Sequence, residues 1–252
     1  MGKLSGKNAL VTGGASGLGK AFCLRLAELG ANVAVVDTSV PDKIRDEISA
    51  KGVKVCKAEG DIADPLFVAD AVKAAAQEIG EISVLVCNSD DFGYDLDAQK
   101  ASTADLSNFD AFFNKNVKGM MIAVQAVVPM MKENHYGKIV TVSSHLGIEA
   151  LDNGGNAPYG AAMAAIRNYT LAASAELGPY GITVNTIAPG WIELEPDQFK
   201  GSQKDDCIAM VSLERLGTPD DCTGVLEFLV TDLSGFVTGN IVEVTGGTTF
   251  KQ

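Results

Sequence analysis

The chain has 252 residues, 46% apolar and 21% charged, the balance of a soluble globular protein long enough for one large domain or two small ones. Its formal net charge of -12 opposes nucleic-acid phosphates and excludes a general nucleic-acid binder. Five cysteines without a CxxC pair suit buried thiols in a reducing compartment, and two histidines without an HExxH pattern are too few for a histidine-based metal site.

Met1 to Lys7 is short and polar, with no signal peptide or membrane span after it, so the expected location is the cytoplasm. Asn8 to Thr12 reads as a strand. Leu18 to Leu29 carries apolar residues at helical spacing and stops at Gly30. Asn32 to Asp37 is a second strand, with the apolar run of a strand buried on both faces. Val40 to Lys51 is a polar helix ended by Gly52, and Val53 to Lys57 is a third strand. Asp64 caps the next helix, Pro65 takes its first position, and it runs to Ile79. Ile82 to Cys87 is a strand and Ser89 to Ala101 a loop. Thr103 to Met131 is mostly helix, with a bend expected near Pro129. Lys138 to Ser143 is a strand. Pro158 to Leu177 is an alanine-rich helix stopped by Gly178-Pro179. Ile182 to Ala188 is a strand, Trp191 to Val211 is irregular or helical, Pro219 to Val230 is a helix, and Asn240 to Val244 is a last strand.

This alternation predicts right-handed crossovers and a parallel sheet with helices on both faces. The expected architecture is a single doubly wound α/β domain over 1–252, with a cofactor half at about 1–135 and a substrate half at about 136–252. Its ligand belongs at the carboxyl ends of the strands.

The first strand leads into Thr12-Gly13-Gly14-Ala15-Ser16-Gly17-Leu18-Gly19 and then a helix. Glycines at 13, 17 and 19 let the backbone approach a pyrophosphate seated on the helix N-terminus. Asp37, at the end of the second strand, is spaced for a carboxylate on an adenosine ribose diol and would repel a 2′-phosphate, which favours NAD(H) over NADP(H). It also fits a helix cap or a turn. Asp61, before Ile62, fits either an acceptor for an adenine amino group or a turn cap. Further on, Ser144 and Tyr159 look set to converge on one pocket. Residue 163 lies one helical turn beyond the tyrosine, on the same face. It is a methionine.

Together with Asn116-Val117-Lys118-Gly119, Val142-Ser143-Ser144, Pro189-Gly190 and Arg215-Leu216-Gly217-Thr218-Pro219, these residues make the chain resemble the classical short-chain dehydrogenase/reductase family over nearly its whole length. The resemblance implies a seven-stranded Rossmann sheet, a nicotinamide cofactor, a small-molecule substrate, no membrane partner, and assembly as a homodimer or homotetramer. It assigns catalysis to Asn116, holding a water, Ser144, orienting the substrate oxygen, and Tyr159, the acid. It places Met163 where the family has a lysine. Cofactor binding falls to Gly13, Ser16, Gly17, Leu18, Gly19, Asp37, Asp61, Ile62, Asn88, Pro189, Gly190 and Ile192. The substrate side falls to His145, Trp191 and Leu194, although His145 also fits a structural or surface role. No metal is implied.

Three departures surround the implied nicotinamide site. Met163 supplies neither charge nor donor. A phenol titrates near 10, and a nearby cation lowers it by about 1–3 units. Tyr159 is therefore expected to stay protonated at neutral pH, at a cost of about 10²–10⁴-fold in acid-base catalysis. Arg167, the nearest cation on that face, is a further turn away. Cys87-Asn88-Ser89-Asp90 replaces the usual Asn-Asn-Ala-Gly, and Asp91 follows; both carboxylates face either the cofactor or solvent. Leu194 stands where a threonine is frequent. The stretch Trp191 to Val211 matches the family's substrate lid. Trp191, Ile192, Leu194 and Phe199 make it apolar, while Glu193, Glu195 and Asp197, if turned inward, disfavour anionic substrates. The expected activity is an attenuated NAD(H)-dependent oxidoreductase of small or medium carbonyls and alcohols. Two alternatives stand beside it: non-redox isomerase, dehydratase or cyclase chemistry on Tyr159 and Ser144, and a non-catalytic binding subunit.

Overall fold

In the computed structural model, which describes residues 2–89, 100–149, 155–196, 198–199 and 201–248, seven short apolar runs pair into one sheet. They are β1 (Asn8–Thr12), β2 (Asn32–Asp37), β3 (Val55–Glu59), β4 (Val84–Cys87), β5 (Gly137–Val142), β6 (Ile182–Pro189) and β7 (Ile241–Val244). Their order is β3-β2-β1-β4-β5-β6-β7, and every pairing is parallel. The chain winds outward from β1 in one direction, then returns to start β4 on its other side. That reversal opens a crevice beyond the carboxyl ends of β1 and β4.

Side chains alternate across the sheet. Val11, Val35, Val86 and Val140 pack on one face under α1 (Gly17–Glu28), α2 (Asp42–Ser49) and α8 (Pro219–Val230), against Phe22, Ile48 and Leu226. Leu10, Val36, Leu85 and Ile139 pack on the other, under α3 (Pro65–Ile79), α5 (Gly119–Glu133) and α6 (Ala157–Leu177), against Val72, Val127 and Ile166. Both faces are covered, so the strands read as continuous apolar runs. The helix starts follow local chemistry. The Asp64 carboxylate accepts from the Leu66 N–H, and Thr218 and Asp221 form a reciprocal capping box around Pro219.

The stretch from 106 to 133 is not regular throughout. Pro129 lies inside α5, which continues to Glu133. The irregularity falls earlier: α4 (Leu106–Phe112) passes into a π-helical turn over Phe113–Lys118 before α5 begins. A π turn leaves a carbonyl without its usual partner. Asn116 answers this locally, donating Nδ2–H to the Phe112 carbonyl at 2.9 Å. The Trp191–Val211 stretch contains one helix, α7 (Ser202–Ala209).

Between α6 and the sheet lies a buried hydroxyl triangle. Thr141 Oγ1 is 2.9 Å from Thr170 Oγ1 and 2.8 Å from Thr186 Oγ1, and the last two are 3.0 Å apart. The three residues are fully buried, so each hydroxyl depends on the others. Thr170→Val keeps the shape and deletes one member, which is expected to lower stability by about 1–3 kcal/mol in urea unfolding. Thr170→Ser should lose less.

Candidate active site

At the crevice the glycine loop is held open from both sides. Gly13 (φ +58°) and Gly17 (φ +47°) occupy the left-handed region, and a Cβ on Gly19 would fall into the Gly13 carbonyl. Ser16 caps α1 through its backbone conformation without a side-chain cap bond. Asn88, buried at the end of β4, staples loop to sheet. Its Nδ2–H donates to Gly13 O at 3.1 Å, its N–H donates to Thr12 Oγ1 at 3.2 Å, and its carbonyl accepts from that hydroxyl at 2.8 Å. Asp37 is tied to the same loop, accepting from Ala15 N–H at 3.1 Å and Thr38 N–H at 2.7 Å. Asp61 accepts from Ala63 N–H at 2.8 Å and so caps a turn, yet it still lines the cavity with Gly13, Ser16, Asp37 and Ile62.

The other wall is built where the turn after β5 meets α6. A Cβ on Gly160 would sit 2.7 Å from Leu146 O, and one on Gly147 would sit 2.8 Å from the Met163 carbonyl carbon. Ser143 Oγ donates to Met163 O at 2.9 Å, closing the seam. Flush contact of turn and helix brings Ser144, Tyr159 and Met163 to one cavity, lined also by Leu18, Asn116, His145, Pro189, Gly190, Trp191, Ile192 and Leu194. Met163 is buried. Ser144 Oγ accepts from Leu146 N–H at 3.2 Å, which leaves its own hydrogen to point at a ligand. Ser143 is committed to the helix, as side-chain alternation at a strand end requires.

Asn116 is anchored too: besides its bond to Phe112, its Oδ1 accepts from Ser89. His145 is buried and edge-on to Trp191, with ring centroids 5.2 Å apart. Its Nδ1 lies 3.1 Å from Pro189 O, and a carbonyl cannot donate, so the hydrogen is on Nδ1. Burial pushes its pKa down to about 4, against a smaller opposing pull from the Pro189 carbonyl.

The lid is stitched to the chain beyond it. Ile192 bridges Gly217, with Gly217 N–H donating to Trp191 O and Glu193 N–H donating to Gly217 O. Leu194 N–H is taken by Gln198 Oε1 at 2.7 Å. The described lid carboxylates do not line the cavity: Glu193 pairs with Lys204 at 2.7 Å and Glu195 is exposed. Asp90, Asp91 and Asp197 lie outside the described residues. Arg167 points away, to Glu243 at 3.9 Å. The Cys87 thiol, beneath the crevice, is pushed up to about 12 by burial and is no nucleophile. Among the described residues, no cluster of His, Cys, Asp or Glu is placed to hold a metal, and no helix is long and apolar enough to cross a membrane.

Residues 13–249 match the family model described as Enoyl-(Acyl carrier protein) reductase. A cyclohexanol dehydrogenase of Rhodococcus sp. (strain TK6) is 40% identical, with 98% of each chain covered. The chain belongs to the short-chain dehydrogenase/reductase family. As in other short-chain dehydrogenase/reductases, its Rossmann-like domain superposes on cofactor-bound members. NAD+-bound xylitol dehydrogenase matches with a TM-score of 0.88 at 28% identity, over 97% of this chain and 100% of that one. A blue fluorescent protein from a metagenomic library, in complex with NADPH, matches with a TM-score of 0.88 at 32% identity, over 97% and 98%. This family member thus belongs among oxidoreductases of nicotinamide cofactors. Some lining residues escaped the sequence: Lys115, beside Asn116, borders the glycine-loop cavity, as do Thr38, Gly60 and Ser89. The helical spacing of Lys115 gave no sign of this, because the π turn shifts the face that helix presents.

Two measurements probe this geometry. Gly160→Ala should cost about 1–3 kcal/mol of stability and disturb the site, since the added methyl meets backbone. Gly178→Ala, with nothing within 4 Å of the added Cβ, should be near neutral. For His145, the folded pKa lies below its ordinary 6.5, so protons bind the unfolded chain preferentially. Stability should therefore fall as pH drops from about 6.5 through 4, and His145→Gln should flatten that slope.

Proposed function

We propose that this protein is an NAD(H)-dependent oxidoreductase of small or medium uncharged alcohols and carbonyls, with an alicyclic secondary alcohol or its ketone as the best candidate. The observation that carries it is one cavity lined by both Ser144 and Tyr159, adjoining a glycine-loop cavity through shared Asn88 and Ser89. The apolar wall of Trp191, Leu194 and Leu18, with a neutral His145, favours an uncharged ring. The 40% identical cyclohexanol dehydrogenase supports the same class.

The residues present fit a dinucleotide. Gly13, Ser16, Gly17, Leu18 and Gly19 make the turn that opens α1, where a Cβ on Gly13 or Gly19 would strike neighbouring backbone, and they would hold the pyrophosphate. Asp37 would take the ribose diol, and its fixed carboxylate opposes a 2′-phosphate. Asp61 and Ile62 would flank adenine, with Asn88, Pro189, Gly190 and Ile192 completing the cleft. The nicotinamide, when bound, supplies or accepts the hydride.

This chain's own residues do the rest. Ser144 donates its O–H to the substrate oxygen and fixes its position. Tyr159 gives a proton to that oxygen in reduction and must remove one in oxidation. Asn116 spends its side chain on Phe112 and Ser89, so any water it positions is held by the main chain. Met163, at the family's lysine position, contributes no charge. A neutral phenol donates readily but accepts poorly, so reduction is favoured over oxidation at neutral pH. The relatives described above lend no support to non-redox chemistry or a silent subunit. A homodimer or homotetramer in a reducing cytoplasm suits the family frame and the five buried, unpaired cysteines.

Calorimetry should show NADH binding more tightly than NADPH. In an assay following NADH at 340 nm, Met163→Lys should raise alcohol oxidation at pH 7 by about 10²-fold or more. A folded Met163→Lys protein with no gain on any alcohol of a cyclic and acyclic panel overturns the attenuation.

A further inference from the structure

We infer that Lys115 is a cofactor-binding residue, whose ammonium offsets one negative charge of the diphosphate of an adenine dinucleotide in the cleft. The inference rests on the nicotinamide-cofactor reading above and adds a residue to it.

Placement is the first observation. Lys115 lies in the π-helical turn Phe113–Lys118, next to Asn116, which is buried and held by bonds to Ser89 and Phe112. The lysine cannot swing away with a fraying helix end, because its neighbour is fixed. It is half-buried, whereas Lys118 of the same turn is exposed. It borders the cavity of Gly13, Ser16, Asp37 and Asp61, and also a narrower one behind Asn88, Ser89 and Asn116. Asn88 and Ser89 line the Ser144–Tyr159 cavity as well, so the cavities that Lys115 borders adjoin that one.

Charge is the second. The described linings of these three cavities contain Asp37 and Asp61, and Lys115 is their only lysine or arginine. A dinucleotide diphosphate brings two negative charges into that acidic setting. The partial positive charge of the α1 N-terminus, roughly half an elementary charge, does not balance them. Met163 adds nothing. A long, flexible ammonium at the cleft wall offsets one of those two charges and can follow the phosphates.

The test is binding of NADH, AMP and adenosine to wild type, Lys115→Gln, Lys115→Arg and Lys118→Gln, at low and high salt, with thermal melts confirming folding. The expected result is a loss of about 5–20-fold for NADH and AMP in Lys115→Gln, with adenosine unchanged. The loss should shrink at high salt, while Lys115→Arg stays within about threefold and Lys118→Gln matches wild type. Wild-type NADH affinity in a folded Lys115→Gln protein overturns the inference alone. So does an equal loss for adenosine, which would mean that the side chain acts on the nucleoside rather than the phosphates. Wild type that binds neither NADH nor NADPH overturns the cofactor reading and the inference together.

Discussion

Everything at the catalytic end depends on two pieces of backbone lying closer than side chains permit. The turn after β5 rests directly on the first turns of α6, with Gly147 against the Met163 peptide and Gly160 against the Leu146 carbonyl. Close packing of this kind is stiff, because neither surface has a flexible side chain to absorb displacement. Ser143 adds a hydrogen bond across the seam, and the threonine triangle fastens the same helix deeper in. Ser144 and Tyr159 share a cavity because the backbones that carry them are packed flush.

The cofactor end uses a related device with different parts. The glycine loop is slack by composition, so it needs an external support. Asn88 provides one from β4, the strand beside which the winding reverses, and Asp37 provides another from β2. Two of the residues expected to meet a dinucleotide thus also hold the loop itself. Preorganisation of this kind removes part of the ordering cost that binding otherwise carries.

Much of this was legible beforehand. The apolar strand runs, Asp64-Pro65, Gly30 and the glycine loop are local signals with local causes, and they located the elements to within a few residues. Ser144, Tyr159 and Met163 came from spacing and resemblance, and the fold brings them together. The failures have tertiary causes. The π turn over Phe113–Lys118 carries the bond from Asn116 to Phe112, which no periodicity displays. Which way Glu193 turns depends on Lys204, eleven positions away in sequence, which pairs with it. Lys115 was invisible because a π turn rephases its helix.

The bond from Ser143 has an evolutionary consequence. It grips residue 163 by its carbonyl, an atom that every amino acid has. The helix is therefore held in register whatever side chain stands there, and so is the tyrosine one turn before it. Placement and chemistry at that position are inherited separately. A side chain at this position can be exchanged without loosening the turn from the helix, so the scaffold tolerates drift at a residue that lines the pocket.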